Sequence, residues 1–304
     1  MTITIVLFVL GLGLLLVGGE SMVRGAAALS KRCGLSPLLI GVVVVGFGTS
    51  VPELTASLSA VCASNAPGIA MGNVIGSNCC NILLIIGLSA LIAPISGVKV
   101  ARRDLVALVA SAAAVGLALF LGWVPRILAA VMVVAIVVYL IITAMEGGDE
   151  EGDELAGIWG RRWFSALATV AGIVLLLLGA HLMVSAAVKI AAALGVADSV
   201  IGLTIVALGT SLPELAASII AAAHKQSALA VGNIIGSNIF NALFIPGVVA
   251  LVKPFPVAGG LLAAYLVMVA ATLFFCVCLV RGKAGRIAGA VMAAGYLVAL
   301  GVIL

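Results

Sequence analysis

Gly48-Thr49-Ser50-Val51-Pro52-Glu53 is written twice in this chain, the second time as Gly209-Thr210-Ser211-Leu212-Pro213-Glu214. Each copy lies inside a long apolar stretch. The string carries a carboxylate, two hydroxyls and a proline to a depth where a bilayer holds no water. An ionisable residue inside a membrane span is expensive and marks a functional site by default. Its repetition points to a single site built from two halves.

Composition supplies the membrane. The chain has 304 residues, of which 64% are hydrophobic and 9% charged. A soluble domain carries roughly 25% charged residues. Several apolar runs approach the ~20 residues that span a bilayer as a helix. They are apolar on every face, whereas barrel strands alternate with polar residues. The reading is an all-α polytopic membrane protein. Residues 1–18 lack a basic n-region and an A-x-A-like site, so they read as the first transmembrane helix and not as a signal peptide. The net charge of +4 comes from residues scattered over short loops. It reports orientation, not nucleic-acid binding. The six cysteines, five of them within spans, match no metal cage and read as packing residues.

Ten spans are expected: 3–20, 37–62, 68–93, 104–122, 126–145, 163–183, 198–223, 227–252, 258–280 and 285–303. Between the fifth and sixth lies an acidic, glycine-rich linker, 146–162, which cannot bury apolar surface and is expected to be mobile. It separates two similar halves, 1–145 and 163–304. Gly18, Met22, Val23, Gly34 and Gly41 match Gly179, Met183, Val184, Gly195 and Gly202. Gly72-Asn73-Val74-Ile75-Gly76-Ser77-Asn78 matches Gly232-Asn233-Ile234-Ile235-Gly236-Ser237-Asn238. Five spans per half is an odd number, so the second half enters the membrane from the opposite side. The repeats are inverted, as in many secondary transporters. With both termini extracytoplasmic, twelve basic residues fall on the inner side and three, Arg126, Lys189 and Lys253, on the outer. That is a strong positive-inside bias. It places the chain across a plasma membrane with its acidic linker in the cytoplasm.

Of eleven acidic residues, six lie between Glu146 and Glu154, and only Glu53 and Glu214 fall deep within spans. No lysine or arginine lies at that depth. Two unpaired carboxylates in hydrocarbon would cost many kcal/mol, so they require cations or protons. Pro52 and Pro213 remove backbone donors, and Gly48 and Gly209 loosen the same turns. The carbonyls of Gly46, Thr49, Ala207 and Thr210 are then able to face the site. Unwound backbone at membrane depth is tolerated where it lines a polar cavity. Carboxylates, hydroxyls and carbonyls make an all-oxygen set, suited to hard cations such as Ca²⁺. Thiolates and imidazoles, which favour zinc or copper, are missing from the motif. His224 reads as a loop residue and His181 as interfacial or proton-sensitive. One span later, Ser77 and Asn81 are four apart, as are Ser237 and Asn241, so each pair shares a helical face that offers neutral oxygens. The glycines Gly72, Gly76, Gly232 and Gly236 read as close packing points between helices.

On these two motif copies, each followed by a GN-[VI]-IGSN unit, the sequence resembles the cation/calcium antiporters, and among them the prokaryotic sodium/calcium exchangers. The resemblance covers the whole chain. It implies four cation positions arranged as a diamond. Glu53 and Glu214 would hold Ca²⁺ with the carbonyls of Thr49 and Thr210. Ser77, Ala207, Thr210 and Ser211 would line one Na⁺ position, and Ser237, Gly46, Thr49 and Ser50 its mate. Asn81 and Asn241 would flank the middle. It also implies that the first and sixth spans form a sliding gate pair, and that Na⁺ and Ca²⁺ compete for one cavity. Many relatives carry aspartate where this chain has Asn241. Two carboxylates neutralise one Ca²⁺ but leave +1 with three Na⁺, and the amide implies independence from potassium.

The expected function is Na⁺/Ca²⁺ antiport by alternating access, without catalysis or cofactor, in a monomer within the bilayer. Ca²⁺/H⁺ exchange is the nearest alternative, because protons also neutralise glutamates. A glutamate-lined cation channel is the second.

Overall fold

The structure, a computed structural model, describes residues 2–64, 66–145, 161–196, 207–257 and 259–303. The fold is mostly helical. Helices α1 (Thr2–Cys33), α2 (Pro37–Cys62), α3 (Pro67–Ile92), α4 (Arg102–Leu121) and α5 (Arg126–Met145) precede the acidic linker, whose residues 146–160 lie outside the described ones. After it come α6 (Arg162–Ala193), α7 (Leu212–Ala223), α8 (Ser227–Val252), α9 (Leu262–Val280) and α10 (Arg286–Ile303). Eight are long and apolar enough to cross a membrane; α7 and α10 are shorter. The expected span 198–223 is described only from residue 207.

Burial sorts the helices. In α8, 83% of the apolar stretch is enclosed, against 22% in α1. The core therefore sits around α3 and α8, with α1 at the periphery. Outer faces are themselves apolar: Phe120 is 87% exposed and Ile287 84%. Apolar surface on this scale fits lipid and not water.

Helices α1 and α6 are longer than expected, each running well past its apolar stretch. The stretch in α1 ends at Glu20, but helix formers such as Arg24, Lys31 and Arg32 continue the turn pattern to Cys33. Left-handed glycines then stop both helices, Gly34 at φ +64° and Gly195 at φ +79°. Ser36 caps the next helix by accepting the Leu39 N–H at 3.2 Å, with Pro37 in its first turn.

Antiparallel α1 and α6 pack backbone to backbone. Glycines recur every seventh position: Gly11, Gly18 and Gly25 on α1, Gly172 and Gly179 on α6. A Cβ on Gly18 would stand 2.7 Å from Leu176 N, and one on Gly179 2.7 Å from Gly11 O. Small residues let membrane helices approach in this way. A second close seam joins α2 to α8, where a Cβ on Gly232 or Gly236 would reach Leu38 O or Val42 O. Gly72 and Gly76 make no such approach among the described residues.

Four two-residue strands, which an all-helical reading omitted, staple the loops. Strands β1 (Ile95–Ser96) and β4 (Lys283–Ala284) pair antiparallel, as do β2 (Trp123–Val124) and β3 (Phe255–Pro256). Each pair joins loops from opposite halves of the chain. They satisfy backbone groups where helices end.

Candidate functional site

The repeated motif folds as a helix restart, not as a mid-helix kink. In α2 a π-helical turn, Gly41–Val45, is followed by a break at Ser50, where φ is −82° and ψ 4°. Helix resumes at Val51 with Pro52 and Glu53 in its first turn. The second copy repeats this: the turn Ala207–Gly209, a break at Ser211 with φ −89° and ψ 6°, then α7 with Pro213 and Glu214 in its first turn. Proline is welcome there, because the missing N–H would have no partner anyway. The fresh N-terminus also favours a carboxylate electrostatically. Gly48 and Gly209 have a packing reason beyond flexibility. A Cβ there would meet Ile173 Cδ1 at 2.8 Å and Val184 Cγ2 at 2.5 Å, both on α6.

The two motifs bond to each other. Ser50 Oγ donates to Glu214 Oε1 at 3.3 Å, and Ser211 Oγ donates to Glu53 Oε1 at 3.3 Å. This exchange puts both carboxylates in one compartment. Both glutamates are fully buried. Ser237 Oγ lies 3.5 Å from Glu214 Oε1 and 3.3 Å from Gly46 O, and its one proton is donated to either of them. Thr49 Oγ1 donates to Val45 O at 3.0 Å, and lies 3.4 Å from Ser237 Oγ. The half-buried Thr210 stands against Glu53. Ala207 opens the turn that precedes Thr210. Ser77, Asn81 and Asn241 are buried in α3 and α8. Each of the two asparagines is the second residue of a π-helical turn, Cys80–Ile86 and Phe240–Phe244. Such turns gather at functional sites.

What is left without a partner defines the chemistry. Glu53 Oε2, Glu214 Oε2, Asn81 Oδ1 and Asn241 Oδ1 are buried and accept no hydrogen bond. Buried polar atoms in native proteins almost always have partners, so a group of orphaned acceptors asks for one. Orphaned acceptors, two of them on carboxylates, call for a cation or a proton. Among the described residues the ion pairs lie elsewhere, Glu20 with Arg24 and His224, and Asp104 with Arg103. No three His, Cys, Asp or Glu side chains cluster among the described residues. The donor set is oxygen, as hard cations require.

A cavity of about 300 Å³ reaches the motifs. It is lined by Pro52 and Thr55 of α2, Gly209 and Thr210, and His181 and Ser185 of α6. His181 thus lines the approach to the site.

Two further residues back the cage, and sequence reasoning quoted them without assigning them a role. Asn73 Nδ2 donates to Glu53 O and to Ser57 Oγ, both at 3.1 Å. Asn233 Nδ2 does the same for Glu214 O at 3.5 Å and Ser218 Oγ at 2.9 Å. Their amides hold the backbone of each glutamate. The signal was available in the duplicated Gly-Asn pair.

The family model described as sodium/calcium exchanger protein matches residues 3–145 and 164–304. An uncharacterised membrane protein of Methanocaldococcus jannaschii is 35% identical over 296 residues, covering 96% of this chain and 95% of the relative. The sodium/calcium exchanger MaX1 of Methanosarcina acetivorans is 30% identical over 302 residues, covering 84% and 85%. A solved structure of the sodium-calcium exchanger NCX_Mj, soaked with 10 mM Na⁺ and no Ca²⁺, superposes with a TM-score of 0.86 at 34% identity. That match covers 99% of both chains.

Proposed function

The chain belongs to the sodium/calcium exchanger family, and on that premise we propose that it exchanges Na⁺ for Ca²⁺ by alternating access through one shared cation cage. The observation that carries this reading is the crossed pair of hydrogen bonds, Ser50 to Glu214 and Ser211 to Glu53. Each motif holds the other's carboxylate and leaves its outer oxygen, Oε2, without a partner. Glu53 and Glu214 are the central ligands. Thr49, Ser50, Ser237 and Gly46 form one flank, and Thr210, Ser211, Ser77 and Ala207 the other. Asn81 and Asn241 complete the middle.

Charge explains why the ions are exchanged and not leaked. The empty cage carries −2, and moving it past a dry barrier is prohibitively costly. One Ca²⁺ neutralises it, and so do two Na⁺. The transition between faces therefore favours the loaded protein.

The chain is proposed to cross the membrane ten times as two inverted five-helix repeats, 1–145 and 163–304, joined by a cytoplasmic linker at 146–162. Both termini are extracytoplasmic in this arrangement, and the bilayer is a prokaryotic plasma membrane holding the monomer. Support comes from which loops touch. Loops 93–101 and 281–285 belong on the inner face by the basic-residue count, and β1 pairs with β4 across them. The loops on either side of Trp123 and Phe255 belong on the outer face, and β2 pairs with β3. Glu20 and His224, both expected inside, lie 2.7 Å apart. The glycine seam between α1 and α6 supports a two-helix unit that moves against the remaining bundle.

The test is calcium uptake into vesicles with the proton gradient collapsed. Uptake that follows an imposed Na⁺ gradient is expected. Uptake indifferent to Na⁺ but driven by a proton gradient would replace the reading with Ca²⁺/H⁺ exchange, and conductance without a counter-ion would replace it with a channel.

A further inference from the structure

The duplicated Gly-Ser-Asn unit holds two asparagines that the cage does not use, Asn78 and Asn238. Both are buried, at 4% and 1% exposure. Identical in sequence position, they do different things. Asn238 Oδ1 accepts a hydrogen bond from Asn81 Nδ2 at 3.3 Å. Asn78 makes no equivalent bond to Asn241. Its Nδ2 donates to the backbone carbonyl of Asn238 at 3.2 Å. Asn241 is left with neither Oδ1 nor Nδ2 partnered.

An amide side chain has two faces, and only its oxygen can bind a cation. A buried amide with no fixed partner can turn either face to the cavity. Once Asn238 holds the nitrogen of Asn81, the oxygen of Asn81 must point the other way. That oxygen is buried and has no protein partner. We propose that Asn238 is a positioning residue: it orients Asn81 so that Asn81 Oδ1 faces the cation cage, while Asn78 pins the Asn238 backbone two residues before the π-helical turn Phe240–Phe244. The inference rests on the cage proposed above, with Asn81 as one of its ligands. It makes the two halves of the cage unequal. Asn81 offers a fixed oxygen, and Asn241 an amide that adapts to the ion present.

The test compares Ca²⁺ uptake kinetics in purified, reconstituted variants. Asn238→Leu keeps the volume and removes the acceptor. It is expected to raise KM for Ca²⁺ about tenfold, the weight of one hydrogen bond, with kcat within about twofold. Asn238→Asp keeps an oxygen at Oδ1 and is expected to return KM to the original value or below. The decisive comparison is made in an Asn81→Leu background, where Asn238→Leu is expected to add nothing. KM does not depend on how much protein folds, so a poor yield does not mask the result. If Asn238→Leu yields no protein, Asn238→Ala is read in the same way. Equal losses with Leu and Asp at 238, or a full additional loss on top of Asn81→Leu, would overturn the positioning role. If Asn81→Leu alone leaves KM unchanged, Asn81 is not a ligand, and the cage reading fails at that residue together with this inference.

Discussion

Gly172→Ala tests whether α1 and α6 move as one unit because their backbones touch. A Cβ at Gly172 would stand 2.4 Å from Met22 N, 2.6 Å from Gly18 O and 2.7 Å from Met22 Cα. All three are backbone atoms, so no side chain can swing aside. Ordinary contact begins at 3.4 Å, which leaves 3.4 − 2.4 = 1.0 Å to be found by parting the helices. Parting two stiff rods by ~1 Å also opens the neighbouring contacts at Gly11, Gly18 and Gly179. Overpacking of this kind costs ~1–3 kcal/mol. Replacing glycine by alanine within a helix returns up to ~1 kcal/mol. With the full return the net is a destabilisation of roughly 0–2 kcal/mol, a fall of up to a few degrees in Tm, and the gap to an unhindered Gly→Ala is the whole ~1–3 kcal/mol. Gly13→Ala on the partner helix α1 is the control, because nothing lies within 4 Å of its Cβ position. It gains propensity with no clash and is expected to hold or raise Tm. Thermal unfolding of the detergent-solubilised protein reads both. A Gly172→Ala protein as stable as Gly13→Ala would refute the backbone-to-backbone seam.

Three more outcomes follow from named contacts. Ser50→Ala and Ser211→Ala each remove one donor to a buried carboxylate, worth ~1.5–3 kcal/mol; both are expected to change apparent Ca²⁺ affinity at least about tenfold, and by similar factors, in uptake assays. Tyr139→Phe removes the 3.1 Å hydrogen bond to buried Asp104, whose Oδ2 already lacks a partner. It is expected to lower stability by ~1–3 kcal/mol and to leave Ca²⁺ KM unchanged, since Asp104 lies outside the cage. Glu20→Gln and His224→Gln alter a partly exposed 2.7 Å side-chain contact between α1 and the residue that ends α7. Such contacts contribute ~0–1 kcal/mol, so neither substitution is expected to shift Tm by more than a degree or two.

Composition and repetition made much of this molecule legible. Runs of apolar residues located the helices, and the pairing of Glu53 with Glu214 followed from two buried acids that no base could neutralise. Three things were out of reach, each for a physical reason. Helix ends in α1 and α6 follow backbone propensity and the left-handed glycines Gly34 and Gly195, whereas hydropathy stops at Glu20. The glycines of α1 were visible, but their partners on α6 depend on register between helices far apart in sequence. The π-helical turns at Cys80 and Phe240 leave no compositional mark, because any apolar run accommodates them. The duplication marked Asn73, Asn233 and Asn238 without showing what each of them does. An asparagine in a span reads as a ligand or as helix glue, and only hydrogen-bond geometry tells the two apart.

The central claim is that both motifs serve one Ca²⁺ site. Anomalous scattering from crystals grown in Ca²⁺ tests it directly. The account predicts a single peak at ~2.3–2.6 Å from Glu53 Oε2 and from Glu214 Oε2, weakening as Na⁺ is added. Two peaks, one beside each glutamate with no shared ligand, or a peak that Na⁺ does not displace, would contradict it.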